Sequence, residues 1–178
     1  GLIARAPKPD WGLGRWDSLL EENGSDQPQI FIVAQSIEKP GNLGTLLRTA
    51  DAAAVTGLMV VDRCTDLFNP NVVRASVGTL FTVPVVECSS EEGIGWFREK
   101  GVQLVATSPD AEKVYTETDL AGSIAIVMGS EQYGLDERWL SQTDIQVSIP
   151  MAGSADSLNV AMATAIVLFE SLRQRSVR

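Results

Sequence analysis

The sequence predicts an α/β protein built on a mostly parallel sheet covered by helices on both faces. Three observations carry that expectation. Short apolar runs such as "IFIVAQ" and "SIAIVMG" have the length of strands. They alternate along the chain with segments of helical spacing. Runs apolar throughout, four to six residues long, suit strands buried from both sides. The 178 residues suffice for one domain with its own core, and 44% hydrophobic with 21% charged residues is ordinary globular usage.

Residues 1–28, rich in Pro, Gly, Trp and charge, hold at most one short helix around "RWDSLLEE" and read as an N-terminal arm or linker remnant. The start at Gly leaves room for a preceding domain. Residues 29–178 then read as the folded domain. In order, "IFIVAQ" is a strand, "NLGTLLRTADAAAV" a helix, "GLMVVD" a strand and "NPNVVRASVG" a helix. "FTVPVV", "SSEEGIGWFREK", "VQLVAT", "SIAIVMG", "LDERWLS" and "IQVSIP" continue the alternation. The last helix carries a stripe of Leu158, Ala161, Met162, Ala165, Phe169 and Leu172 at helical spacing, expected to pack in the core.

Composition removes several classes of chemistry. The chain has no histidine, so a Ser-His-Asp triad and the usual general base are absent. Cys64 and Cys88 stand far apart and read as reduced structural thiols, with no zinc or CxxC spacing. No metal is expected. No apolar run approaches the roughly 18 residues of a membrane helix and the start lacks a signal-peptide core, which reads as a cytoplasmic protein off the membrane. A formal charge of −9 argues against broad nonspecific grip on nucleic acid, although a local basic site is compatible with it.

In a parallel sheet, ligands bind beyond the carboxyl ends of the strands, so the loops there carry the functional signal. In "SIEKPGNLGTLLRTA", Leu43, Leu46, Leu47, Ala50 and Ala54 share one helical face while Arg48 lies about 140° from Leu43. Arg48 therefore points away from its own core, as a solvated arginine also would. In "MGSEQYGL", Gly129 permits close approach to the backbone, and Glu131 either serves a ligand or caps a short helix. In "IPMAGSADSLN", Ser157 or Asp156 can cap the final helix, which leaves the amide of Asn159, inside an apolar segment, in need of partners. Neither GxGxxG nor GxxxxGK[ST] occurs.

Taken in order, "NLGTLLRTADAAAVTG", "IVMGSEQYGL" and "IPMAGSADSLNVAMATAI" resemble the three motifs of the SpoU (TrmH-type) RNA ribose 2'-O-methyltransferases of the SPOUT superfamily, over roughly residues 30–172. The resemblance implies a C-terminal deep trefoil knot, a fold feature that periodicity never suggests. It also implies S-adenosylmethionine as cofactor, an RNA substrate, and a homodimer whose active site draws on both subunits. The cofactor pocket would be lined around Thr107, Met128, Gly129, Ile149, Met151 and Leu158. The polar site positions match Asn42, Arg48, Glu131, Ser157 and Asn159. Arg48 is expected to clamp the phosphate and ribose hydroxyl, because a guanidinium with a pKa above about 12 is a poor base. Ribosomal RNA is favoured slightly over transfer RNA as the substrate, since the arm looks like a linker from an RNA-binding domain. Two features depart from the pattern: Gln132-Tyr133 replaces small residues, and the acidic balance is unusual for an RNA enzyme. The alternative is a non-catalytic RNA- or nucleotide-binding α/β module.

Overall fold

The computed structural model describes residues 11–23, 27–62, 64–130 and 132–177. Helix α1 (Leu13–Asn23) precedes the alternating series β1 (Ile30–Gln35), α2 (Pro40–Ala52), β2 (Gly57–Val61) and α3 (Pro70–Ser76). It continues through β3 (Val85–Cys88), α4 (Ser90–Glu99), β4 (Gln103–Thr107), β5 (Lys113–Val114) and β6 (Ile124–Met128). The chain then forms α5 (Glu137–Gln142), β7 (Ile145–Ser148) and α6 (Val160–Ser176). Seven strands lie in the order β3-β2-β1-β6-β4-β7-β5, and every neighbouring pair is parallel. The expected parallel architecture is therefore present.

Side chains alternate across the sheet, and the two faces bury separate cores. Ile30, Ile32 and Ala34 of β1 join Ile124, Ile126 and Met128 of β6 beneath α2, α3 and α6. Phe31, Val33, Ala125 and Val127 meet Trp16, Phe97 and Trp139 beneath α1, α4 and α5. Local signals fix the helix starts: Pro40 and Pro70 open α2 and α3, and Ser89 with Glu92 forms a capping box on α4.

The N-terminal segment adds to this core rather than only leading into it. Trp16 of α1 is 1% exposed, with its ring 5.0 Å from Phe31 and 5.2 Å from Trp96. Its Nε1 has no hydrogen-bond partner among the described residues, so the ring contributes through packing alone. Trp16→Ala is expected to cost about 3–5 kcal/mol in urea unfolding, whereas Trp16→Phe, which keeps an aromatic ring, loses much less.

Three sequence expectations need correction. "FTVPVV" is not one strand: Thr79–Phe81 form a 3-10 turn, and pairing begins only at Val85, after Pro84. Ala54 does not share the buried face of α2, since the helix ends at Ala52 and Ala54 turns out with φ 48°. The stripe assigned to the core of α6 is only partly buried: Ala161 is 1% exposed and Leu172 packs against the core, but Met162 is 51% and Phe169 50% exposed, and Leu158 precedes the helix, also exposed. The buried face is Val160, Ala161, Ala163, Thr164, Val167, Leu168 and Ser171, where the Thr164 hydroxyl donates to the Val160 carbonyl and the Ser171 hydroxyl to the Leu120 carbonyl.

The connection after β4 positions the site. It runs outward to β5, beyond β7, and returns to β6 along the C-terminal half of α6. There the Gln174 amide bonds to the Thr118 carbonyl and the Leu120 N–H, and the Arg175 guanidinium reaches the carbonyls of Gln29 and Gly122. Cys64 and Cys88 are free, and burial pushes their thiols up to about 11 and about 12, which leaves both protonated and unreactive at neutral pH.

Candidate active site

At the carboxyl ends of β4, β6 and β7 the loops enclose a cleft of about 500 Å³. Thr107, Met128, Gly129, Ile149, Met151 and Leu158, from three distant stretches of sequence, all line it. Ser157 and Asp156 form part of the same wall. Apolar side chains thus provide a slot, and hydroxyls, carboxylates and strand-end backbone provide polar contacts around it, the usual composition of a small-molecule site. One atom stands out for its chemistry: the Thr107 Oγ1 is buried without a hydrogen-bond partner among the described residues. A ligand in the cleft can satisfy it.

Gly129 has a more local role than ligand approach. A Cβ there would meet the Gly134 carbonyl carbon at 2.1 Å and its oxygen at 2.2 Å. The loop folds back on itself at this point. The Ser130 N–H donates to the Gly134 carbonyl at 3.0 Å, and the Gly134 N–H returns a bond to Ser130 at 2.9 Å. The Tyr133 N–H adds a bond to Ser130 Oγ at 3.1 Å. Gly44, similarly, lies inside α2 where a Cβ would meet that of Ala75 at 2.4 Å, so it serves close contact between α2 and α3.

A chain of polar groups, which sequence reasoning missed, fastens the end of that loop. The Gln35 side-chain Oε1 accepts from the Asp136 N–H at 3.1 Å, while its Nε2 donates to Asp62 at 3.0 Å. The Ser90 hydroxyl donates to the same Asp62 oxygen at 2.7 Å and accepts from Trp139 Nε1 at 2.7 Å. Asp136 in turn caps α5 by accepting from the Trp139 N–H. The available signal was Gln35 itself, a glutamine closing an otherwise apolar strand, 3% exposed. Gln35→Leu strands the Asp136 N–H and one Asp62 contact. Urea unfolding is expected to show a loss of about 1–3 kcal/mol.

Asn159 is not inside α6, as the sequence suggested, but is its N-cap. Its Oδ1 accepts from the Ala161 N–H at 3.0 Å, and its Nδ2 donates to Asn42 Oδ1 at 3.0 Å. The capping therefore falls to Asn159 rather than to Ser157 or Asp156, and one amide joins the first and third motifs across 117 residues of sequence. Ser157 and Asn159 are both exposed, so neither is a buried polar group. Arg48 is exposed on α2, outside the cleft lining, with no hydrogen-bond or ion-pair partner among the described residues. A single chain does not bring it to the cleft. Glu131 lies outside the described residues.

Comparisons with known proteins agree on one family. The model of the SpoU rRNA Methylase family matches residues 29–169. The chain is 33% identical over 180 residues to the 23S rRNA (guanosine-2'-O-)-methyltransferase RlmB of Pseudomonas putida, covering all of this chain and 72% of that protein. Its fold superposes on the SpoU methyltransferase AviRb of Streptomyces viridochromogenes in complex with AdoMet, with TM-score 0.83, 33% identity, and coverage of 89% of this chain and 65% of that one. The AdoMet-bound rRNA methyltransferase of Sinorhizobium meliloti gives TM-score 0.79 at 38% identity, with 84% and 59% coverage. The chain thus spans less than two thirds of either solved relative. With three loops gathered at one sheet edge and a family match spanning β1 to α6, the chain belongs to the SpoU rRNA Methylase family.

Proposed function

We propose that this chain is an S-adenosylmethionine-dependent methyltransferase acting in the cytoplasm on a ribose 2'-hydroxyl of RNA, with ribosomal RNA the favoured substrate. The observation that carries the reading is the shared cleft: the second and third motif loops converge on it with the loop after β4, and it holds the unsatisfied Thr107 hydroxyl. Two solved relatives contain AdoMet, and the RlmB relative acts on 23S rRNA.

The residues present fit that cofactor. Met128, Ile149, Met151 and Leu158 suit the faces of an adenine ring, and Thr107 with the strand-end backbone can meet its polar edge. When bound, the cofactor supplies an electrophilic methyl with a neutral thioether as leaving group. The protein's part is positioning, so neither a metal nor a histidine is required. Asn42 and Asn159 hold the first and third motif loops together, and Asn159 keeps the start of α6 in place. Ser157 and Glu131 belong to the same polar set by their motif positions. Arg48 orients the ribose hydroxyl and the adjacent phosphate as a planar donor.

Arg48 reaches that position in a homodimer, where the guanidinium is delivered to the partner's cleft. The outward apolar face of α6, with Met162 and Phe169 half exposed, is a surface suited to a second copy. The C-terminal segment reaches α6 by threading the loop between β4 and β6, the trefoil path that the family resemblance implies. Residues 1–28 form an arm ahead of the methyltransferase domain at 29–178, with α1 docked onto it.

Calorimetric titration of the dimer with S-adenosylhomocysteine tests the cleft. Binding is expected, and Thr107→Val should weaken it about tenfold by removing one buried hydrogen bond. A protein that binds neither the product nor the donor would overturn the reading.

A further inference from the structure

A second cavity, about 370 Å³, adjoins the cleft between the start of α2 and the 130–134 loop. Ser130, Gln132, Tyr133 and Val160 line both, so a single wall separates the two. Tyr133 in that wall is 80% exposed, and no ring among the described residues packs against it. Its exposure is not that of a loose turn, because the Ser130–Gly134 bridge and the bond to Ser130 Oγ fix its backbone. The second cavity also presents Glu38, Asn42 and Gln132, which between them offer donors and acceptors.

We propose that this second cavity is the acceptor subsite, taking one unstacked ribonucleoside of the RNA with the face of its base against the Tyr133 ring. The proposal rests on the methyltransferase reading of the neighbouring cleft. Four arguments support it. A nucleoside is smaller than an adenosyl donor, as the second cavity is smaller than the first. The shared wall places an acceptor beside the donor site, which methyl transfer requires. Single-stranded RNA is held by stacking of splayed bases on aromatic rings, with polar side chains on the base edges. Stacking also supplies affinity without positive charge, which suits a chain of net charge −9.

The test uses the full dimer, radiolabelled S-adenosylmethionine and an unmodified 23S rRNA transcript as probe. Tyr133→Ala is expected to raise the KM for the transcript about tenfold or more, and Tyr133→Phe to keep it within about threefold of wild type. Because Tyr133 also lines the donor cleft, S-adenosylhomocysteine affinity is measured alongside and should change by much less than the transcript KM. The ratio between Tyr133→Ala and wild type should persist at low and high salt, because stacking, unlike a phosphate contact, releases no counterions. An unchanged KM in Tyr133→Ala, an equal loss in Tyr133→Phe, or a parallel fall in S-adenosylhomocysteine affinity would each overturn the subsite while leaving the function standing. A wild-type protein that binds the cofactor product and labels no transcript would overturn the function, and the subsite with it.

Discussion

In the Arg48→Ala variant, methyl transfer is expected to fall about a hundredfold to a thousandfold, while S-adenosylhomocysteine affinity and thermal stability stay at wild-type values. The two halves of that result have separate physical grounds. Arg48 is exposed and without a partner among the described residues, so its removal leaves nothing buried and unpaired. In the proposed dimer the same guanidinium meets the acceptor's hydroxyl and phosphate, where a missing charged donor is felt in the transition state. Arg48→Lys should recover little, because an ammonium keeps the charge and loses the planar fork. Mixing Arg48→Ala subunits with subunits carrying a defective cleft provides a stringent check. Heterodimers should regain one working site if the arginine acts across the interface.

Gly129→Ala is expected to produce the largest loss of stability of any single methyl addition near the cleft, about 4 kcal/mol or more, with cofactor binding abolished. The added carbon would overlap the Gly134 carbonyl and the Leu135 nitrogen, both backbone, so no side-chain rotation relieves it. The 130–134 loop must then open, and that loop walls both cavities. Gly134→Ala provides the contrast. Gly134 has φ +67° and open space at its Cβ position, so only the left-handed backbone cost of about 1–2 kcal/mol applies. Chemical denaturation of the two variants, followed by calorimetry with S-adenosylhomocysteine, reads both effects.

The parallel sheet was legible because each central strand is an uninterrupted apolar run; β1 begins and ends where "IFIVAQ" does. The strand β5 was not, since two residues with one half-buried side chain carry no pattern. The direction of α6 was only partly legible, for a definite reason. The helix is apolar on most sides, so periodicity finds a stripe without telling which stripe meets the sheet. Small residues decide it: Ala163, Thr164 and Ser171 allow close packing, and the larger Met162 and Phe169 are left outside.

At the site, the gathering of six lining residues followed from the motif resemblance, and no spacing rule would have found it. The outward direction of Arg48 followed from helix geometry alone, and its exposure on α2 agrees. The role of Asn159 depended on where α6 begins, a boundary that a polar cluster leaves open by a residue or two. The polar chain through Gln35, Asp62, Ser90 and Trp139 joins residues up to 101 positions apart, and nothing local announces such pairings.

Mapping 2'-O-methylation on an unmodified 23S rRNA transcript after incubation with the protein and S-adenosylmethionine tests the central claim most directly. A methyl on the ribose oxygen protects the adjoining phosphodiester from alkali. The expected result is a new alkali-resistant linkage that needs the donor and disappears with Arg48→Ala. Transfer of label to a base with every linkage still alkali-sensitive, or no transfer by a protein that binds the donor, would contradict it.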